Sequence, residues 1–407
     1  MNLQAKLGVL VASIQTASPA EEPIFPERQF LARLSQAAEK LPIDLYVFSP
    51  AQYDPISGRL TGCVLRRGIW MLERCEWPDV VYDRSLCKNA EERLLVQRVL
   101  SQLRERKTFV RLNGSLPSKP AVHDALLSES RIARSLPVTV PLTRPLRLEP
   151  LLAQHPEGLF LKPASGMQGK GAVSIRRSPF SEEWLADGRT RSNAVFRLRS
   201  PSLSKLEQRL ERFVGSTSYI VQPLLELNDE DGRPCDIRSL MQKDGTGSWS
   251  VTGIAARVGD AGSVTSNLHG GGTARPAKQQ LAERFGERHA GRLLAEIETL
   301  SILAAKQLES RFGRLAELGI DFGVDRIGRL WLLEANSRPG RSSFELAGDE
   351  EAARLSIERP LHYARLLSRG QQPLLFSRKS KPYAPENDLR PLPIIGVRSD
   401  NVQEVHP

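Results

Sequence analysis

The chain has 407 residues, 40% hydrophobic and 26% charged, which is enough for more than one buried core and excludes a disulfide-stapled mini-protein. Its 30 glycines and 28 prolines follow no fixed period, which excludes collagen-like and coiled-coil chains. The 57 Lys/Arg against 47 Asp/Glu give a net charge of +10, but the arginines are scattered and only 6% of residues are aromatic, so no nucleic-acid stacking platform is visible and nucleic acid is not the expected partner.

The apolar run Leu7 to Ile14 is shorter than the ~20 residues that span a bilayer and has Ser13 inside it. No basic lead or small-residue cleavage site accompanies it. It reads as a first buried strand, and no membrane association or secretory leader is expected. Cys63, Cys75, Cys87 and Cys235 form no CxxC pair, so they read as reduced thiols rather than a metal cluster or disulfide framework.

Along the chain, Leu7–Ala12, Leu45–Phe48 and Val80–Tyr82 read as strands. Phe30–Lys40 and Ala90–Arg106 read as helices, the second with Leu95, Val96, Val99 and Leu103 on one face. This alternation predicts a small α/β domain over 1–115 with a mostly parallel sheet. The segment Leu112 to Pro120 breaks the pattern as a boundary loop. Helices and strand pairs then alternate over 116–368, and the basic, proline-rich 369–407 reads as a loosely packed or extended tail. The basic stretch Arg189–Arg212 reads as a solvated helix and loop rather than a contact for an acidic substrate.

Several segments carry chemistry. Gly158 to Ile175 reads strand, glycine-rich turn, strand, with Lys162 at the end of the first strand and three glycines within Ser165–Gly171. Such a loop can cradle a phosphate with backbone N–H groups, or be a flexible hairpin beside a surface lysine. It is not a P-loop. Tyr219 to Gln222 is a strand ended by Pro223, whose free backbone could meet the edge of an adenine. Asp236 and Arg238 alternate with Ile237 and share a strand face, suiting a ribose and a phosphate, or forming an ion pair on a solvated sheet. The segment Ser266-Asn267-Leu268-His269-Gly270-Gly271-Gly272 is a loop with unusual backbone angles. No GxSxG accompanies it, so His269 reads as a polar loop residue.

The most informative segment is Gly319 to Gly340, read as a β-hairpin turning at Ile327-Gly328. That centre places Asp321 across from Glu334, with Asn336 on the same face. Opposed carboxylates destabilise a strand pair unless a cation lies between them. Two carboxylates and an amide oxygen suit Mg²⁺; the alternative is a solvated sheet face. Asp325 reads as a turn residue.

Taken in order, Lys162 with its loop, Gln222-Pro223-Leu224-Leu225, Asp236-Ile237-Arg238, Ser266 to Gly271 and Glu334-Ala335-Asn336-Ser337-Arg338-Pro339-Gly340 resemble an ATP-grasp domain over about 110–365. The whole chain is most similar to the YheC/YheD family, the endospore coat-associated ATP-grasp proteins; Leu7 to Leu10, Asn113 with Lys119, and Trp331 fit that group. The resemblance implies an α/β fold in which a small pre-ATP-grasp domain precedes two α+β lobes that hold ATP. It implies that Lys119 and Lys162 reach the phosphates and that Gln168, Gly169, Lys170 and Gly171 fold over them. Gln222, Pro223, Leu224 and Leu225 would hold adenine, and Asp236 the ribose. Asp321, Glu334 and Asn336 would hold Mg²⁺ (or Mn²⁺). Arg238, Asn267 and Arg338 are the implied catalytic residues, with Arg338 and Gly340 beside the acceptor. One departure stands out: Thr265 occupies a position where ribosomal-protein-modifying glutamate ligases of the superfamily have an arginine near the γ-phosphate, and Arg257 is the candidate replacement.

The implied reaction is carboxylate–amine ligation through an acyl phosphate. A non-catalytic ATP-binding coat protein is the alternative, and an anionic-polymer binder a third reading. The implied partners are ATP, an unidentified acceptor and other spore coat proteins; the implied location is the mother-cell cytoplasm or spore coat.

Overall fold

The strand Ala5–Leu10 is almost wholly buried, as befits a strand covered on both faces of a parallel sheet. The computed structural model describes residues 4–16, 21–87, 89–166, 169–260, 265–266, 268 and 271–370. The first sheet is built from β1 (Ala5–Leu10), β2 (Ile43–Phe48), β3 (Leu60–Arg66), β4 (Ile69–Cys75), β5 (Val80–Asp83) and β6 (Val110–Arg111), with helices α1 (Arg28–Ala38) and α2 (Ala90–Arg106). Its order is β4-β3-β2-β1-β5-β6. β2, β1, β5 and β6 run parallel, whereas β3 and β4 are antiparallel. The β3–β4 hairpin was not expected. Its turn uses Arg67 and Gly68, both at positive φ, and an arginine gives no sequence signal for that conformation. α2 starts where Asn89 accepts a hydrogen bond from the Glu92 N–H, and carries Glu91 and Glu92 in its first turn and Arg104 and Arg106 in its last. Its core face is Val96, Val99, Leu100 and Leu103; the expected Leu95 is exposed, because Leu100 completes the stripe instead.

The second sheet follows α3 (Lys119–Leu127) and α4 (Ser130–Ala133). It comprises β7 (Val140–Pro141), β8 (Leu159–Pro163), β9 (Val173–Arg177), β10 (Trp184–Arg189), β11 (Val195–Ser200) and β12 (Tyr219–Pro223), with α5 (Glu149–Gln154) and α6 (Leu203–Val214). The order is β11-β10-β9-β8-β12-β7, antiparallel throughout. The expected solvated helix and loop over Arg189–Arg212 is replaced by the end of β10, β11 and most of α6, with Arg189 buried. Alternate residues of β11 face out and the Leu206, Leu210 and Val214 stripe of α6 covers the core, so a basic composition conceals a regular amphipathic pattern.

The third sheet has order β15-β14-β13-β16-β17, from β13 (Cys235–Lys243), β14 (Trp249–Val258), β15 (Thr273–Pro276), β16 (Glu317–Val324) and β17 (Leu330–Asn336). Helices α7 (Ala277–Phe285), α8 (Glu287–Phe312), α9 (Ser342–Leu346) and α10 (Glu350–Ser368) accompany it. α8 lays Leu293, Ile297, Leu300, Ala304 and Leu308 over Ile237, Met241, Ile320 and Phe322. α10 returns to the first sheet, where Leu361, Tyr363, Ala364 and Leu367 join Leu7, Leu31 and Leu34 in one core. Glu317, wholly buried at the start of β16, accepts from Tyr82 Oη at 2.6 Å, Arg84 Nη1 at 2.7 Å, Gln242 Nε2 at 3.2 Å and Arg341 Nη2. Among the described residues no helix is long and apolar enough to cross a membrane. The expected tail, from 371 onward, lies outside the described residues.

Candidate functional site

A cleft of about 900 Å³ lies between the second and third sheets. Its floor is the antiparallel register of β14, β13, β16 and β17, which pairs Asp236 with Arg257, Arg238 with Asp321, and Asp321 with Glu334. The Asp321–Glu334 pairing is as expected, but for a different reason. The pairs nearer the turn, such as Phe322 with Leu332, are offset by one residue, and a bulge between Asp321 and Phe322 restores the alignment.

Charges on this floor are matched crosswise rather than along one strand. Arg238 donates through Nε to Asp321 Oδ1 and through Nη2 to Oδ2 at 2.9 Å. Arg257 donates to both oxygens of Asp236, at 2.6 and 2.7 Å, and places Nη2 2.9 Å from Asp321 Oδ2. Ser266 Oγ also donates to Asp236. Of the two readings of Asp236 and Arg238, the ion pair between them on a solvated sheet gives way to this ladder, because a partner directly across a strand pair is nearer than the next residue on the same face. The face is buried, not solvated: Arg238 and Arg257 are 7% and 6% exposed. Burial raises the Asp321 carboxyl, but the Arg238 and Arg257 guanidiniums outweigh it and hold the group well below the usual carboxylate range.

Two lysines enter from above. Lys119 is the first residue of α3, not a loop residue, and its Nζ stands 2.5 Å from Glu334 Oε1 and 3.4 Å from Gly166 O. Lys162, on β8, donates to Leu333 O at 3.2 Å. Burial pushes its ammonium down to about 8; Glu334 draws it up, and Lys119 lowers it further. Gly169 and Gly171 both take positive φ, and a Cβ on Gly171 would stand 2.9 Å from Tyr219 Oη, so this turn needs glycine there. Met167 and Gln168 lie outside the described residues, as do Asn267, His269 and Gly270.

At the far end, Gln222 donates to Thr139 Oγ1 at 2.8 Å and the Leu224 N–H is committed to Gly158 O at 2.9 Å. The Leu225 N–H makes no backbone hydrogen bond among the described residues. Pro223, Leu224 and Leu225 all line the cleft, and Leu227 seats against Gly323, where any Cβ would fall 2.7 Å from its methyl groups. Asn336 lines the cleft near Glu334, its Oδ1 accepting the Arg338 N–H at 2.9 Å. Arg338 reaches instead toward the first sheet: Nη2 lies 3.0 Å from Asp83 Oδ2 and 3.0 Å from Ser115 Oγ. A Cβ on Gly340 would meet no neighbour within 4 Å. Asp325 is a turn residue, as expected, accepting from the Ile327 and Arg329 N–H groups and from Trp331 Nε1.

The YheC/D-like ATP-grasp model matches residues 109–367. The chain belongs to that family. It is 28% identical over 352 residues to the endospore coat-associated protein YheD of Bacillus subtilis (strain 168), covering 86% of this chain and 76% of that one. It is 26% identical over 346 residues to YheC of the same organism, covering 81% and 90%. The fold is similar to that of N5-carboxyaminoimidazole synthetase from Staphylococcus aureus complexed with ADP, with TM-score 0.52, 12% identity, and 91% and 79% of the chains covered. The fold class is therefore α/β with ATP-grasp architecture, a fold that binds ATP with a divalent cation.

The residues fit such a ligand pair. The described lining carries nine Lys/Arg against five Asp/Glu, an excess that favours a polyanion and disfavours a bare cation. Glu334 and Asn336 present hard oxygen atoms, and the oxygens of Asp321 face two guanidiniums. No group of three His, Cys, Asp or Glu side chains with metal-holding geometry occurs among the described residues. A divalent cation here would depend on phosphate oxygens to complete its shell.

The sequence reading did not single out Asp83, Arg111 or Arg93, which line an adjoining cleft with Arg338. A signal existed. Asp83 and Arg111 end β5 and β6, and the carboxyl ends of parallel strands are where open α/β sheets bind ligands.

Proposed function

We propose that this protein is an Mg²⁺- and ATP-dependent carboxylate–amine ligase. The observation that carries the reading is the convergence of Lys119, Lys162, Glu334 and Asn336 on the point where two clefts meet. Adenine would lie along Gln222 to Leu225, meeting the Leu225 N–H, with ribose near Asp236. Lys119 and Lys162 would draw the phosphates toward Glu334, and Gly169 and Gly171 would let the loop backbone close on them. Glu334 and Asn336, with Asp321 behind them, would hold Mg²⁺, which neutralises phosphate charge when bound.

In the reaction, a carboxylate oxygen of the acceptor attacks the γ-phosphorus and the bond to the β-phosphate oxygen breaks, releasing ADP. An amine then attacks the acyl phosphate carbon, its carbon–oxygen bond to phosphate breaks, and the amine gives up a proton as the amide forms. Arg338 would hold the carboxylate, and Arg238 and Arg257 would set the charge of the floor. Catalysis would rest on positioning and charge neutralisation, with no side-chain nucleophile. The organisation into 1–115 and 116–368 units, and a role beside other coat proteins in the mother cell or spore coat, belong to the same proposal; the latter is supported by the names of YheD and YheC.

The test is ADP release with hydroxylamine present, which traps an acyl phosphate as a hydroxamate. ADP and hydroxamate rising together with an added carboxylate support the ligase. ATP binding without any ADP release across a carboxylate panel overturns it and leaves the non-catalytic coat protein. One observation favours that second reading: Arg257, the candidate for the arginine missing at Thr265, is held by both Asp236 and Asp321.

A further inference from the structure

The second cleft, about 1130 Å³, joins the nucleotide cleft at Lys119, Lys162, Glu334 and Asn336 and runs toward the carboxyl ends of β5 and β6. Its volume exceeds the ~300–1,000 Å³ typical of small-molecule sites and is far more than one amino acid occupies. Its described lining has seven Lys/Arg against two Asp/Glu. Both carboxylates are already matched within the chain, Glu334 by Lys119 and Asp83 by two arginines. Asp83 is 4% exposed, and its Oδ2 accepts from Arg111 Nη2 at 2.8 Å and Arg338 Nη2 at 3.0 Å. One carboxylate between two guanidiniums leaves a positive charge facing the cleft, and it fixes both forks in place.

Further along, Arg93 in the first turn of α2 is exposed and has no ion-pair partner among the described residues. The buried Nε of Arg111 has no hydrogen-bond partner among them either. Apolar residues, including Val96 and Leu100 of α2, line the same cleft. Among the described residues that line the cleft there is no Phe, Tyr or Trp, so they offer a stacked base no platform. Guanidiniums on α2, on β6 and just past β17, in a cleft that also has aliphatic lining, match several separated carboxylates on an extended aliphatic backbone. They do not match one compact anion.

We propose that this cleft binds an acidic, peptide-like acceptor carrying two or more carboxylates, with one carboxylate on Arg338 beside the nucleotide cleft and the others on Arg111 and Arg93. Asp83 is the positioning residue that orients Arg338 and Arg111. The proposal deepens the ligase reading and rests on it for which end of the acceptor reacts.

The experiment is calorimetric titration of tri-L-glutamate into the full-length protein, with and without a saturating non-hydrolysable ATP analogue. Glutamate, tri-L-lysine and a single-stranded oligonucleotide are run beside it. Tri-glutamate is expected to bind more tightly than glutamate and less tightly as salt rises, and tri-lysine not to bind. Arg93→Glu, on the helix surface, should weaken tri-glutamate by about fivefold, and Arg111→Ala should weaken it further. Tri-glutamate affinity unchanged in both variants, or tighter binding of the oligonucleotide, overturns the proposal. Failure of the analogue to bind while tri-glutamate still binds through these arginines would instead sink the nucleotide reading and leave this cleft standing.

Discussion

Lys119 Nζ stands 2.5 Å from Glu334 Oε1, so a lysine positioned for phosphate neutralises a carboxylate positioned for metal. Asp321 is matched in the same way by Arg238 and Arg257. In this state both carboxylates that a cation would use have side-chain cations as neighbours, while Asn336 Oδ1 accepts the Arg338 backbone N–H. A triphosphate would compete for those lysines and release the carboxylates, so metal and nucleotide should bind as coupled ligands. Electron paramagnetic resonance of Mn²⁺ should show mostly free ion with the protein alone and bound ion once ATP is added. Tight Mn²⁺ binding without ATP would contradict this exchange.

The depressed Lys162 gives a pH dependence with a definite sign. Its ammonium loses its proton at about 8, against 10.5 for an ordinary lysine. Phosphate favours the protonated form, so ATP affinity should be full below pH about 8 and should fall by about tenfold per unit above it, with a proton taken up on binding. Titrations at pH 7 and 9 in buffers of different ionisation enthalpy measure both effects. Lys162→Met should bind weakly at both values and take up no proton at this site.

Asp321 and Glu334 face each other, yet their replacement should have different consequences. Asp321→Ala leaves Arg238 buried without its partner and should lower stability by about 3–5 kcal/mol in urea unfolding. Glu334 is half-buried and its one ion pair among the described residues, with Lys119, is partly exposed, so Glu334→Ala should change stability by no more than about 1 kcal/mol. It should still abolish the magnesium dependence of ATP binding. Equal destabilisation by both would refute this division of roles.

Glu317 joins the first and third sheets through Tyr82, Arg84 and Arg341. Glu317→Ala should cost about 3–5 kcal/mol by leaving two buried guanidiniums short of a carboxylate. Loss of this size far from the nucleotide cleft would show as a lower urea midpoint. An unchanged midpoint would mean that the contact between the sheets does not depend on it.

Much of this architecture was legible because periodicity and motif order survive in the sequence. Ala90–Arg106 is a helix over its expected span, since its cap and charge placement agree with its pattern. The Asp321–Glu334 pairing was also legible, although a hairpin centre assumed from Gly328 hid the bulge that produces it. What was not legible depends on non-local partners. Arg67 gives no sign of a positive φ, so β3–β4 went unseen. The crosswise ion pairs require knowing that β13 lies between β14 and β16. The approach of Arg338 to Asp83 spans 255 positions and follows only once the third sheet is placed beside the first.

The central claim is a nucleotide site completed by Glu334. Calorimetric titration of ATP into the purified protein, with and without Mg²⁺ and beside Glu334→Ala, tests it most directly. The account predicts saturable binding that Mg²⁺ strengthens in the native protein and no longer strengthens in the variant. Absence of ATP binding under both conditions, or Mg²⁺-strengthened binding that survives unchanged in Glu334→Ala, would contradict it.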